Sequence, residues 1–412
     1  MLERLELEGV GPGPRLSFTF KPRLNLLTGD NGLGKTFVLD LAWWALTEHG
    51  FSNEVPALPR PDWKGRPRVK ATVSGRHGSE ELSCSVPRVK PEEVSLVPSN
   101  SGLTIYARVD GGFSVWDEVR NDWQRERPSL PSYEFSQDEL WNGLSQDGRT
   151  LCNGLIRDWV SWQIRGSEPF QRLKRVLDVL SPGVGEPLSP GEPTRTSIED
   201  VRDIPTLQMP YGLVPLTHAS AAVRRIVGLA YLLVWAWEEH VRAARLLRTP
   251  TADHVVLLID EVEAHLHPRW QRLILPSLLD VVRALQENVP VQVIAVTHSP
   301  LVLASIEPRF DESQDALFMF DLVGNEVKVT QADWRPRGDA NAWLTSEVFD
   351  LKEPRSVEAE QAITQAKAAL KNPSLPVEEV RRIHNELHRL LKDTDPFWPR
   401  WLARAEAAGI DP

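Results

Sequence analysis

The sequence predicts an α/β protein: a mixed sheet flanked by helices, with an inserted helical lobe and a C-terminal helical extension. Three observations predict it. A short apolar run, Leu24-Asn25-Leu26-Leu27, leads into a glycine-rich loop and then into a helical pattern from Thr36 to Leu46. Two continuous apolar runs, 255–259 and 291–296, flank a helical segment near 269–286, as in a βαβ unit whose parallel strands are buried on both faces. Both runs end in reactive polar residues, Asp260-Glu261 and Thr297-His298.

The elements follow in chain order. Leu5 and Leu7, then Leu16, Phe18 and Phe20, alternate with polar residues as half-buried strands do, and Gly-Pro-Gly-Pro at 11–14 reads as the turn between them. Residues 69–86 and 103–116 again read as strands. Character changes near residue 120. Residues 136–180 have helical spacing, with Leu140, Leu144, Leu155, Trp159, Trp162, Phe170, Leu173, Val176, Leu177 and Leu180 facing inward. The Pro/Gly/Ser-rich stretch 181–195 reads as a loop, and 219–247 as a strongly apolar helix. Beyond 340 the chain is charged and helical. The expected division makes 1–118 and 251–340 two parts of one lobe. Residues 119–250 form the insert, and 341–412 the extension.

Composition narrows the class. With 41 % hydrophobic and 25 % charged residues, the chain is neither disordered nor of low complexity. Its 412 residues alone suggest two or three folding units, but the motifs near both ends must share one sheet. Two cysteines, Cys84 and Cys152, fit a reduced cytoplasmic setting. The charged opening residues do not read as a signal peptide, and the longest apolar run, Ile226 to Trp237, is too short to span a bilayer, so no membrane is expected. The formal charge of −10 argues against avid, unaided nucleic-acid binding; any such contact would need a local basic patch, for which Arg224, Arg225, Arg242, Arg245 and Arg248 are the candidates.

The motifs carry the chemistry. Gly29 to Thr36 fits G-x-x-x-x-G-K-[ST]. In such a loop the backbone around Asn31, Gly32 and Gly34 curls about phosphate oxygens, Lys35 reaches the β and γ phosphates, and the Thr36 hydroxyl holds Mg²⁺. The following helix adds its positive end to the same site. Asp260, at the carboxyl edge of a buried strand, is assigned to the metal, and Glu261 to polarising the attacking water. His298, at the same edge of the next strand, is placed to sense the γ-phosphate.

GDNGLGKT, LLIDEVEAHLHP and AVTHSP, in this order, resemble the ABC-type ATPases of the SMC and OLD-like group. The chain is similar to bacterial predicted ATP-binding proteins called AAA family ATPases, some of which serve anti-phage systems such as Septu and retrons. The core resemblance covers roughly 1–110 and 215–305. It implies a P-loop head of ABC/SMC type that binds ATP and Mg²⁺, hydrolyses ATP slowly, and pairs as a homodimer or higher oligomer. Each head then offers a signature serine to the γ-phosphate held by the other; Ser220 takes that position. Ala222 stands where the family usually has glycine, and no clear glutamine loop follows the first strands. The resemblance also implies a switch or motor for a separate effector, a nuclease among the candidates, in anti-phage defence or DNA transactions. The alternatives are a nucleotide-sensing module with little turnover and a transporter's ATPase subunit.

Four features keep two readings. Ser220 is equally a plain helix N-cap. Glu263, His265 and His267 read as a metal cluster or as the loop that crosses the dimer interface in this family. His384 and His388 have the i, i+4 spacing of a zinc pair, but the neighbouring arginines favour a solvated helix face. The segment 395–401, with Trp398 and Trp401, is either a packed clasp or a docking surface for a partner.

Overall fold

The computed structural model describes residues 1–47, 59–76, 78–85, 102–122, 132–181, 183, 187–287 and 289–410. The chain divides into two compact units, Met1–Ala340 and Asn341–Pro412. An eight-stranded mixed sheet runs through the first. Its five central strands are parallel, in the order Asp315–Val323, Leu24–Gly29, Val291–Val296, Val255–Ile259 and Leu103–Ala107. Glu326–Gln331 closes one side antiparallel; Phe113–Asp117 and then Tyr133–Phe135 extend the other. Strands from residues 24, 103, 255, 291 and 315 thus share one sheet, and their carboxyl ends lie along one edge. Val255–Ile259 is buried along its whole length, which is why it reads as an unbroken apolar run; Leu103–Ala107 is equally buried, Thr104 included.

The helix Lys35–Thr47 leaves the first central strand and buries Val38, Leu39, Leu41, Trp43, Trp44 and Leu46. A four-stranded antiparallel sheet supplies the other half of this core. Leu2–Glu8 pairs with Arg15–Thr19 and with Arg68–Gly75, which pairs in turn with Gly78–Ser85. Leu5, Leu7, Leu16 and Phe18 face inward with the expected alternation. The segment 69–86, which reads as strand, is a hairpin within its described residues; Val86 lies outside them.

The stretch 119–250, expected as an insert, supplies Tyr133–Phe135 to the large sheet and carries helices at Gln137–Asn142, Leu155–Ile164, Glu168–Leu180 and Ala221–Leu247. It also holds two small sheets that hydrophobic spacing did not reveal. Leu144–Gln146 pairs with Arg149–Cys152, and Ser189–Thr194, Ile204–Met209 and Gly212–Pro215 form a three-stranded sheet. Ser189–Thr194 falls in the stretch expected to be a loop. It is an edge strand, the one place where Pro190 and Pro193 can be tolerated without breaking a ladder from both sides. The inward positions from Leu140 to Leu180 are buried as the periodicity predicts.

The second unit packs Val357–Leu370, Val377–Leu390 and Trp398–Ala407 around Ile363, Val380, Leu387 and Trp401. Two expectations are corrected here. Trp398 and Trp401 are buried, so they form the clasp's core and not a docking surface. His384 is also buried: it accepts a hydrogen bond from Trp401 Nε1 at 3.2 Å and is not part of a solvated face. Its neighbour His388 is exposed and lies against Trp398, the ring centroids 4.6 Å apart and the planes tilted by 40°. Burial lowers the His384 pKa, with the His388 charge acting in the same direction.

Candidate functional site

The phosphate loop lies between the strand Leu24–Gly29 and the helix Lys35–Thr47. Two of its glycines are dictated by space and backbone. Gly29 has φ +131°, and a Cβ there would lie 2.3 Å from the Phe320 carbonyl oxygen. Gly34 has φ +89°, and a Cβ would lie 2.7 Å from Pro12 Cγ, in the Gly-Pro-Gly-Pro turn. Asn31 and Gly32 are exposed at the loop's tip. The Lys35 side chain is buried and donates to two carbonyls of its own loop, Gly29 at 2.8 Å and Asp30 at 2.6 Å. Burial lowers its pKa, while Asp30, Asp260, Glu261 and Glu263 act in the opposite sense. A phosphate would replace those carbonyls with stronger, charge-assisted partners.

Asp260 ends the strand Val255–Ile259. Its Oδ2 accepts from Thr36 Oγ1 at 2.9 Å, so residues more than two hundred positions apart meet. Its Oδ1 is buried and has no hydrogen-bond partner among the described residues. Burial raises the Asp260 pKa. A carboxylate with one orphaned oxygen beside a threonine hydroxyl is an oxygen-only donor set that fits Mg²⁺. Glu261 follows in the left-handed region, φ +48°, which is uncommon for a residue with a side chain. Its flanks impose this: Asp260 N donates to Ala107 O, Val262 N to Val296 O, and Ala264 N closes a turn onto Glu261 O.

His298 follows the strand Val291–Val296, which lies between the phosphate-loop strand and the Asp260 strand. Burial lowers its pKa, and the nearby Lys35 charge adds to this. The imidazole is therefore biased towards neutrality. Ser220 caps the helix Ala221–Leu247, its side chain accepting from Val223 N at 3.3 Å; it remains exposed. His267 likewise caps the helix Pro268–Leu285. Among the described residues no three His, Cys, Asp or Glu side chains gather as a metal cluster, so the metal readings of Glu263, His265 and His267, and of His384 and His388, find no support.

Two residues take roles other than those their sequence context gave them. Glu263 accepts from Thr297 Oγ1 at 2.8 Å and from the His298 backbone N–H at 2.5 Å. Arg225, grouped with a basic strip, instead donates to the carbonyls of Asp260 at 3.2 Å and Glu261 at 3.4 Å. The helix behind Ser220 is thereby tied to the acidic strand end. Periodicity cannot reveal either contact, because both partners come from distant segments; the only sequence signal was that both lie within a turn or two of a motif residue.

Residues 212–304 match the family model described as "AAA domain, putative AbiEii toxin, Type IV TA system". The chain is 22 % identical to Septu protein PtuA of Bacillus thuringiensis, over 96 % of both chains. It is 41 % identical over 61 residues to a Vibrio cholerae protein described as "Retron Vc95 probable ATPase". The similarity is thus to a Septu protein along nearly the whole chain, and to an AAA domain and a retron ATPase over shorter stretches. The retron match spans 15 % of this chain and only 10 % of that protein. Among solved structures, the SMC head domain from Thermotoga maritima superposes with a TM-score of 0.40 at 16 % identity, covering 81 % of this chain and 99 % of that one. No helix among the described residues is long and apolar enough to cross a membrane.

Proposed function

We propose that this protein binds ATP with Mg²⁺ at the loop 29–36 and hydrolyses it slowly, as a switch for a separate effector. The observation that carries the reading is the Thr36–Asp260 contact at 2.9 Å with the second Asp260 oxygen buried and unpaired. Thr36 and Asp260 would hold the metal, which supplies charge neutralisation for the phosphates. Asn31, Gly32, Gly34 and Lys35 would cradle the phosphates. Glu261 would orient and deprotonate the attacking water, and the neutral His298 would hydrogen-bond the γ-phosphate. Ser220, at an exposed helix start, is available to a nucleotide held by a second copy.

In this reading half of each site belongs to a neighbour, so turnover is slow and coupled to homodimer or higher-oligomer assembly. The effector in this reading is a protein, a nuclease being one candidate, and the setting is cytoplasmic anti-phage defence or DNA transactions. A second reading, a nucleotide-sensing module with little turnover, is favoured by Ala222 in place of glycine beside Ser220.

Titration with a fluorescent ATP analogue tests the loop: Lys35→Ala should abolish binding, and unchanged affinity would overturn the assignment. Glu261→Gln should bind ATP, lose turnover by about two orders of magnitude or more, and accumulate as a dimer in light scattering. Wild-type turnover in that variant would remove Glu261 as the base. Turnover near background in wild type, with tight ATP binding, would favour the sensing module.

A further inference from the structure

Glu263 belongs to neither the phosphate loop nor the metal pair, yet both of its carboxylate oxygens are committed. Both oxygens accept hydrogen bonds from the end of the neighbouring strand: Oε2 from Thr297 Oγ1 and Oε1 from the His298 backbone N–H. The contact does not stop there. Thr297 Oγ1 accepts from Ser299 N at 3.1 Å, and Ser299 Oγ donates to Gln271 Oε1 at 2.8 Å. Gln271 Nε2 donates to Leu266 O at 2.9 Å, and Leu266 N donates to Glu263 O at 2.9 Å. These bonds close a ring through the turn after Asp260, the first turns of the helix Pro268–Leu285 and the strand end carrying His298. Thr297 and Ser299 are buried, so each bond lost would leave a polar group without water to replace its partner.

The same turn holds Glu261 in its left-handed conformation, closed by Ala264 N onto Glu261 O. We propose that Glu263 is a positioning residue that locks the Glu261 turn to the Thr297-His298 strand end. The base and the phosphate sensor then move as one body. A γ-phosphate drawing on His298 would pull on the peptide whose N–H Glu263 holds, and through the ring on the turn that aims Glu261. This rests on the hydrolysis reading above for its consequence, but the lock itself is a property of the chain with or without nucleotide.

The chemistry of the carboxylate distinguishes three substitutions. Glu263→Ala removes both acceptors. Glu263→Gln keeps the volume and can still accept from His298 N–H while donating to Thr297 Oγ1, which strands the Thr297 hydroxyl proton. Thr297→Val keeps volume and leaves the His298 bond alone. Turnover should therefore fall most in Glu263→Ala, by about 10- to 100-fold in kcat, as expected for a reacting group displaced by a fraction of an ångström to one ångström. KM for ATP should stay within about two-fold, since the phosphate loop is untouched. Glu263→Gln and Thr297→Val should lie between it and wild type. Equal kcat in all four proteins, or a Gln variant as impaired as Ala, would overturn the lock.

Hydrogen exchange supplies a readout that does not need turnover. Without nucleotide, Glu263→Ala should speed exchange at both 261–267 and 297–303, and Glu263→Gln should largely restore protection. With Mg²⁺ and the β,γ-imido analogue of ATP, wild type should gain protection in both segments together, and Glu263→Ala in only one. Joint protection surviving in Glu263→Ala overturns the proposal. Loss of the ATPase reading has a different signature: Lys35→Ala would then leave turnover unchanged, while the nucleotide-free exchange comparison still decides the lock.

Discussion

The two oxygens of Asp260 are in unequal circumstances, one bonded to Thr36 and one buried with no partner. Such an arrangement is costly without a cation, and Mg²⁺ should therefore raise the melting temperature of the nucleotide-free protein, an increment that Asp260→Asn should remove. Asp40, one helical turn past Thr36, is the second uneasy acid. Burial raises its pKa to about 6, against the opposing hydrogen bond from Tyr106 Oη at 3.1 Å. A carboxyl pKa raised in the fold means that the native state holds the proton more tightly than the unfolded chain. Stability on this account is greatest below about pH 4 and falls as pH rises to about 6. Asp40→Asn keeps an acceptor for Tyr106 and removes the charge. It should stabilise the protein at pH 7 to 8 by something on the order of 1 kcal/mol, and by nothing near pH 4. Denaturant melts at the two pH values check this; an equal effect at both would show that charge is not the cause.

Two elements carry roles that substitutions can separate. Ser220 caps the long helix Ala221–Leu247, and that duty alone is worth about 1 kcal/mol. Ser220→Asp keeps a capping oxygen, so the melting temperature should hold. If Ser220 also meets a γ-phosphate from a second copy, the added negative charge should abolish turnover. Unchanged turnover in Ser220→Asp would leave Ser220 as a cap and nothing more. Ala222 sits in the first turn of the same helix. Ala222→Gly should cost up to about 1 kcal/mol in helix propensity yet leave turnover equal or higher, because it clears a methyl group from the face beside Ser220. Complete loss of turnover would mean that the signature position has been assigned to the wrong segment. Arg225 makes this helix relevant to the acidic strand end, since it holds the carbonyls of both Asp260 and Glu261.

For the whole molecule, the division at Ala340 separates the unit that holds the eight-stranded sheet from a small helical unit with its own core. Trp401 is fully buried there and bonded to His384. Trp401→Ala should destabilise that unit by about 3–5 kcal/mol, visible as faster hydrogen exchange across 357–407. With Trp398 and Trp401 committed to this core, a search for the partner surface moves away from them. The formal charge of −10 still argues against avid nucleic-acid binding by the bare chain. Arg225 is lost to the basic strip, because its guanidinium is held by main-chain carbonyls.

The sequence by itself determined the α/β class, the phosphate loop, the two reactive strand ends and the amphipathic helices. Each of these is written in a local run of residues: an apolar strand, a glycine spacing, a helical period. The hairpin Asp315–Val323 and Glu326–Gln331 carries a local signal in its apolar runs around Gly324-Asn325. The strand Ser189–Thr194, by contrast, was not legible, since its pairing partner, and not its own proline-containing composition, makes it a strand. The same reason hid the burial of Trp398, Trp401 and His384. Only the tertiary structure decided that Thr36 meets Asp260, that Arg225 grips the acidic strand end, and that Glu263 binds Thr297 and His298. Those contacts join residues far apart in the chain, and a hydrogen bond depends on where two atoms finally sit.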